Sequence, residues 1–257
     1  MILAINIENT NTILSGMEDE TIKFVECLST SVTRTEIEYA FAFKNIIEIH
    51  HLTVDDVEGA IISSVVPPVT MVVKDAVKRI FEKEPLVIGP GVKTGLNILT
   101  DNPAQLGSDL VASAVAGVYK YETPMIIVNM GTATTLSVIN EKKQYVGGMI
   151  IPGIKISSAS LTRETAQLPK IGLEKPKRVI GTNTIESMKS GIIYGTAASI
   201  DGCINRIEKE FGSPMATIVA TGANIKHILP YCERKMCLNE TLLFEGLRLI
   251  YKKNQKF

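Results

Sequence analysis

The feature that most constrains this chain is a pattern that occurs twice. Residues 125–135 read Met-Ile-Ile-Val-Asn-Met-Gly-Thr-Ala-Thr-Thr, an apolar run closed by a glycine and a cluster of hydroxyl residues. Such a run predicts a buried strand feeding a tight turn. The chain opens in the same way, with Leu3-Ala4-Ile5-Asn6-Ile7-Glu8-Asn9-Thr10-Asn11-Thr12. Laid over one another, Asn6 falls on Asn129, Glu8 on Gly131 and Thr12 on Thr135, an offset of 123 residues in a chain of 257. Either stretch alone reads as an ordinary hairpin. An echo at half the chain length predicts duplicated domains, each offering one phosphate-binding hairpin to a shared cleft. Glycine lets backbone approach the phosphate, and neighbouring N–H and hydroxyl groups donate to its oxygens.

Composition narrows the partners. Apolar residues make up 45% and charged residues 21%, a globular balance. Lys and Arg total 27 against 27 Asp and Glu, so no bulk charge draws the chain to nucleic acid or to a membrane. No apolar run approaches the roughly 18 residues of a spanning helix. Met1 leads straight into a strand rather than a signal peptide, so the expected location is cytoplasmic. Cys27, Cys203, Cys232 and Cys237 are too scattered for a disulfide framework. His227, Cys232 and Cys237 fit no common zinc spacing and read as structural residues with free thiols.

Between the echoes, strand and helix signals alternate, which predicts an α/β architecture. Strands are expected at 23–28, 59–66, 86–88 and 215–221. Helices are expected at 33–49, where Thr35 and Glu38 are spaced for a capping box, at 69–82 and 154–165, and within 102–120, where a Pro turn and Gly107-Ser108-Asp109-Leu110 lead into a helix that Asp109 starts. A long helical stretch at 185–211 is expected to break near Gly191 and Gly195, and 239–251 forms a closing helix. Ala112, Ala114, Ala116 and Gly117 predict a close helix contact. The pairs Gly147-Gly148 and Pro152-Gly153 mark backbone that turns sharply or approaches something closely, and Gly222-Ala223-Asn224 is a loop that could meet a ligand. Asp109 supports two local readings, an acid in the first turn of a helix or a carboxylate acting as general base. The repeat places the boundary so that residues 1–117 and 118–257 form the two domains.

With these pieces in order, the chain resembles the type III pantothenate kinases of the actin/hexokinase-like ATPase superfamily. The resemblance is carried by Asn9-Thr10-Asn11-Thr12, Gly131-Thr132-Ala133-Thr134-Thr135, and Gly147-Gly148 through Ile151-Pro152-Gly153. Thr165-Ala166-Gln167-Leu168-Pro169, Gly181-Thr182-Asn183-Thr184 and the closing run from Glu245 to Tyr251 extend it along the whole chain. It implies two duplicated ribonuclease-H-like domains with a nucleotide cleft between them, and a homodimer. It also implies transfer of the γ-phosphoryl group of Mg-ATP to pantothenate, the first step of coenzyme A synthesis. By resemblance, Asn6, Glu8, Asn9, Thr10, Asn11, Thr12, Thr132 and Gly222 hold ATP, and Asp109 accepts the hydroxyl proton. Thr100, Gly107, Ser108, Asp109, Leu110 and Thr184 hold pantothenate. The position of Asn129 takes a monovalent cation, potassium or ammonium.

Several ligand-handling positions depart from the family pattern. Asn6 and Asn129 stand where Asp is usual, Glu8 and Ala223 where Gly is usual, Leu110 where Arg is usual and Thr100 where Tyr is usual. Asp to Asn keeps shape but removes a charge from a site for hard cations. A carboxylate at position 8 about 4 Å from a phosphate oxygen costs roughly 1 kcal/mol in water and about 4 at an effective dielectric of 20. Leu110 removes a charge-assisted contact to the acceptor carboxylate worth about 1.5–3 kcal/mol. These departures frame two alternatives on the same scaffold: a catalytically impaired paralogue acting as a ligand-binding or regulatory protein, and a superfamily kinase or phosphatase with another acceptor.

Overall fold

The computed structural model describes residues 1–255 and divides into two compact units. Unit 1 gathers Met1–Leu96, Asp101–Tyr119 and the segment from Thr241 onward; unit 2 gathers Asn97–Thr100 and Lys120–Glu240. A linear split after residue 117 partitions the chain differently at two places. The short 97–100 segment pairs with a strand of unit 2, and the closing helix packs into unit 1.

The first unit is organised around β1 (Ile2–Ile7), all six residues of which are buried. It pairs antiparallel with β2 (Asn11–Glu18) and parallel with β4 (Gly59–Ser64). With β3 (Thr21–Ser29) and β5 (Leu86–Val87) the sheet order is β3-β2-β1-β4-β5. A central strand is apolar on both faces because both are covered. Leu3, Ile5 and Ile7 join the cluster built with Tyr39, Phe43 and Ile47 of α1 (Glu36–Ile49) and Val69, Val73 and Val77 of α2 (Pro67–Phe81). Ile2 and Ala4 join the opposite cluster, with Ala112 of α3 (Ser108–Lys120) and Phe244, Leu247 and Ile250 of a closing helix, Leu242–Asn254. Period-two alternation therefore sends Asn6 to the α3 face. Thr35 and Glu38 make the expected box, the Glu38 carboxylate accepting from the Thr35 N–H and hydroxyl at 2.7 Å each. Pro67 and Pro68 open α2, where a missing N–H costs nothing.

Unit 2 repeats the plan. β7 (Met125–Met130) is central, antiparallel to β8 (Ala133–Ile139) and parallel to β10 (Thr217–Thr221). Together with β9 (Gln144–Pro152), β11 (Cys237–Leu238) and the edge strand β6 (Asn97–Ile98), the order is β11-β10-β7-β8-β9-β6. Without β6, this is the order of the first sheet with the same strand directions. Bulges fall at matching places, between Gly16 and Met17 and between Val138 and Ile139. The second bulge leaves Val146 unpaired and β9 runs on through Gly147 and Gly148; a side chain at Gly148 would strike the Leu136 carbonyl, the close approach the pair was expected to mark. The chain is thus two duplicated α/β units.

Two local expectations are corrected. The α-helix α5 (Thr184–Phe211) runs 28 residues without interruption after α4 (Ile154–Arg163). Gly191 and Gly195 each cost about 1 kcal/mol in a helix, and burial of Met188, Ile192, Ile193, Ala197, Ile200 and Ile204 at helical spacing offsets this. The hairpin overlay also slips by one residue. Ile7 pairs with Thr12 across a four-residue turn, whereas Met130 pairs with Thr134 across three. Thr12 therefore corresponds to Thr134, and both are fully buried. The closing helix is α6, and its Gly246 lies against the Ala112 carbonyl so closely that no side chain fits. The small residues of α3 are used inside unit 1.

Candidate active site

In unit 1 the turn after β1 is closed by the Glu8 N–H donating to the Asn11 carbonyl at 2.8 Å. Asn9 and Thr10 are exposed at its tip, and the Thr30 N–H donates to the Thr10 carbonyl at 3.0 Å. Thr12 shares a 2.9 Å hydrogen bond with the Thr30 hydroxyl, which withdraws its side chain from the surface of the turn. Asn6 is 1% exposed, and its Nδ2 donates to Glu8 Oε1 at 3.1 Å. Sequence reasoning missed this bond. The available signal was parity: positions 6 and 8 lie on one side of an extended chain.

Asp109 stands at the start of α3. Its carboxylate takes N–H groups from its own backbone and from Leu110, and Gly107 leaves the space that Asp109 Oδ1 occupies. The acid sits in the first helical turn, as one of the two local readings expected, and is partly withdrawn from water. Burial pushes its proton affinity above the ordinary carboxylate range, against those N–H groups. Glu8 is raised too, first by burial and then by the Asp109 charge, with the Asn6 amide opposing. Ser108 is buried and anchors the helix: its Oγ lies 2.9 Å from Ser63 Oγ, accepts from the Ser64 N–H at 2.9 Å and donates to the Ser64 carbonyl at 3.1 Å. Unit 1 thus brings together Asn6, Glu8 and Asp109 beside the 9–11 turn, while Ser108 faces inward.

Within unit 2, Asn129 ends β7 and Gly222 ends β10. Gly222 has φ +96°, and a side chain there would strike Asn129 Oδ1 and the Met130 backbone. Asn224 then seals the turn, its N–H donating to the Met130 carbonyl at 3.0 Å and its Nδ2 to the Gly131 carbonyl at 3.2 Å. Gly153 packs on the Gly131 and Thr132 carbonyls from another side. Asn129, Thr132 and Gly222 are therefore neighbours around one turn, with Asn224 as a member the sequence marked only as part of a loop. Thr184 opens α5 and lines a cleft of about 560 Å³ with Leu161, Leu168, Ser187, Met188, Gly191 and Ile192. Thr100 follows β6, and its hydroxyl is buried without a hydrogen-bond partner.

The donors suit hard cations. Mg²⁺ is usually held by one or two carboxylates plus substrate phosphates rather than by a closed protein cage. Glu8 and Asp109 are such a pair, and no three His, Cys, Asp or Glu side chains gather among the described residues. The Asn129 side chain carries a neutral carbonyl oxygen, a donor that suits a hard cation. Burial pushes the Cys232 thiol up to about 12.

Comparison with known proteins decides the family. The model of the type III pantothenate kinase family matches residues 2–206. A type III pantothenate kinase of Halalkalibacterium halodurans is 45% identical over 254 residues, spanning 99% of this chain and all of the relative. The chain belongs to the type III pantothenate kinase family. Solved structures of low identity share the fold. Component A of the (R)-2-hydroxyglutaryl-CoA dehydratase of Acidaminococcus fermentans superposes with a TM-score of 0.57 at 13% identity, each chain covered to 99%. The ROK hexokinase of Thermus thermophilus gives 0.51 at 10% identity, with 98% of each covered. This pantothenate kinase family member thus has the actin/hexokinase-like architecture that its duplicated sheets display.

Proposed function

We propose that this chain transfers the γ-phosphoryl group of Mg-ATP to the primary hydroxyl of pantothenate, giving ADP and 4'-phosphopantothenate at the entry to coenzyme A synthesis. The observation that carries the reading is Asp109: a half-buried carboxylate at a helix start, in a chain that matches a named pantothenate kinase from end to end. As the pantothenate oxygen attacks the γ-phosphorus, Asp109 accepts its proton and the bond to the β–γ bridging oxygen breaks. Most of the catalysis in such transfers is positioning and electrostatic stabilisation. The turn spanning residues 6–12, Thr132 and Gly222 are assigned to ATP; Thr100, residues 107–110 and Thr184 to pantothenate; and Asn129 to potassium or ammonium. Bound Mg²⁺ would neutralise charge developing on the phosphates. We further assign the enzyme to the cytoplasm as a homodimer.

Leu110 and Thr100 supply no charge for the pantothenate carboxylate, so substrate affinity is the expected weak point. The test is a coupled assay with ATP, Mg²⁺, potassium and pantothenate, beside calorimetric titration of each substrate. We expect turnover with a high KM for pantothenate. D109N should lower kcat by roughly 10²–10⁴. Undiminished turnover in D109N, or nucleotide binding with no phosphorylation of pantothenate, overturns the assignment.

A further inference from the structure

We propose that Asn224 is a positioning residue for the phosphate turn of unit 2, fixing the Gly131–Thr132 peptide so that Thr132 is presented to ATP. The proposal rests on the kinase reading above, which assigns Thr132 to ATP, and deepens it.

Asn224 is buried, and its side chain is spent on the turn. Its Nδ2 donates to the Gly131 carbonyl at 3.2 Å and lies 3.4 Å from that of Met130, which also accepts from the Asn224 N–H at 3.0 Å. Carbonyl oxygens only accept, so the NH₂ end of the amide has to face them. A trans peptide carries its C=O and N–H on opposite edges. Holding the Gly131 carbonyl toward Asn224 therefore turns the Thr132 N–H to the far edge. Glycine at 131 does not fix that orientation by itself, because its backbone adopts many conformations. The Gly131 N–H is already committed to the Ala133 carbonyl at 3.0 Å, which closes the turn but leaves the next peptide to be held by something else.

The two repeats differ at this point. Ile7 ends β1 as Met130 ends β7, and its carbonyl accepts from the Val65 N–H at 3.0 Å. The backbone bond is thus made in both units, but Val65 has no side-chain donor. The junction closes once without a side chain, so what the Asn224 amide adds is a hold on the peptide after Gly131. Reaching that peptide takes unusual backbone. Gly222, at φ +96°, carries the chain past Asn129 and Met130 where a side chain would collide, and Asn224 follows two residues later. Gly153 has no side chain and so leaves the Gly131 and Thr132 carbonyls in place on another side.

The consequence is a loss confined to ATP. Steady-state kinetics of the full chain, with ATP and pantothenate varied in turn, and calorimetric titration of Mg-ATP measure it. N224A should raise the KM for ATP and weaken Mg-ATP binding about tenfold, as loss of a buried donor does. The KM for pantothenate should change by less than about twofold. N224L, which restores volume without the donor, should match N224A. N224Q, which keeps the amide on a longer stem, should recover part of the affinity. A purely structural role lowers the melting temperature and the fraction of active protein but leaves both KM values where they were. That outcome, or equal rises in both KM values, overturns the proposal alone. If circular dichroism shows N224A and N224L unfolded, amide exchange of the parent decides. Mg-ATP should slow exchange across Gly131 and Thr132, and unchanged exchange there in a chain that binds Mg-ATP overturns the proposal. A parent that binds no Mg-ATP overturns the kinase reading together with it.

Discussion

At the residue scale, the Glu8–Asp109 pair has a cost to stability that pH exposes. Both carboxyls hold protons more tightly in the folded chain than in the unfolded one. The native state therefore binds the extra protons, and stability falls as pH rises from the ordinary carboxylate range through the raised values. Without ligand, E8Q should raise the melting temperature at pH 7–8, by an amount on the order of 2 °C, and the gain should vanish below the ordinary carboxylate range. Thermal melts of parent and variant across pH in EDTA check this. A gain that grows on acidification contradicts it. The same raised affinity means that turnover should fall on the acid side at a higher pH than an exposed aspartate would give, because Asp109 acts as a base only when ionised.

Among elements, glycines decide how closely helices and turns approach. Gly246 of α6 leaves room for the Ala112 carbonyl of α3, the helix whose first turn carries Asp109. Gly246→Ala should cost about 1–3 kcal/mol by overpacking, and more if the two helices cannot separate. Urea titration reads the loss directly, and a variant as stable as the parent shows that α3 is free to shift. Gly222→Ala combines a positive φ with collisions on Asn129 and Met130. Its penalty should appear both in stability and in ATP affinity, since the displaced groups surround the turn at Gly131.

For the whole molecule, the open question is assembly. In α3, Val111, Ala112, Ser113, Ala114, Ala116 and Gly117 are buried within the single chain. Ile150 of β9, 75% exposed, and Ile156 and Leu161 of α4 remain uncovered on unit 2. An apolar face of this kind suits an isologous contact. Light scattering at micromolar concentration should give twice the 28.0 kDa chain mass. Ile150→Glu should shift the population to monomer without a change in circular dichroism. A parent that is already monomeric rejects this surface as a dimer interface.

The duplication was legible because it is written in local chemistry. An apolar strand, a short polar residue and a Thr-rich turn are patterns of a few residues, and they repeat at positions 6 and 129. Asp109 was legible for the same reason, as an acid after Gly107-Ser108 at a helix start. Other features depend on atoms far apart along the chain, or on backbone angles that residue types do not specify. The slip between Thr12 and Thr135 was set by turn length, three residues against four, which strand pairing decides. The continuity of α5 through Gly191 and Gly195 was set by the apolar core behind it rather than by helix propensity. Ala112 of α3 met Gly246, about 130 residues later.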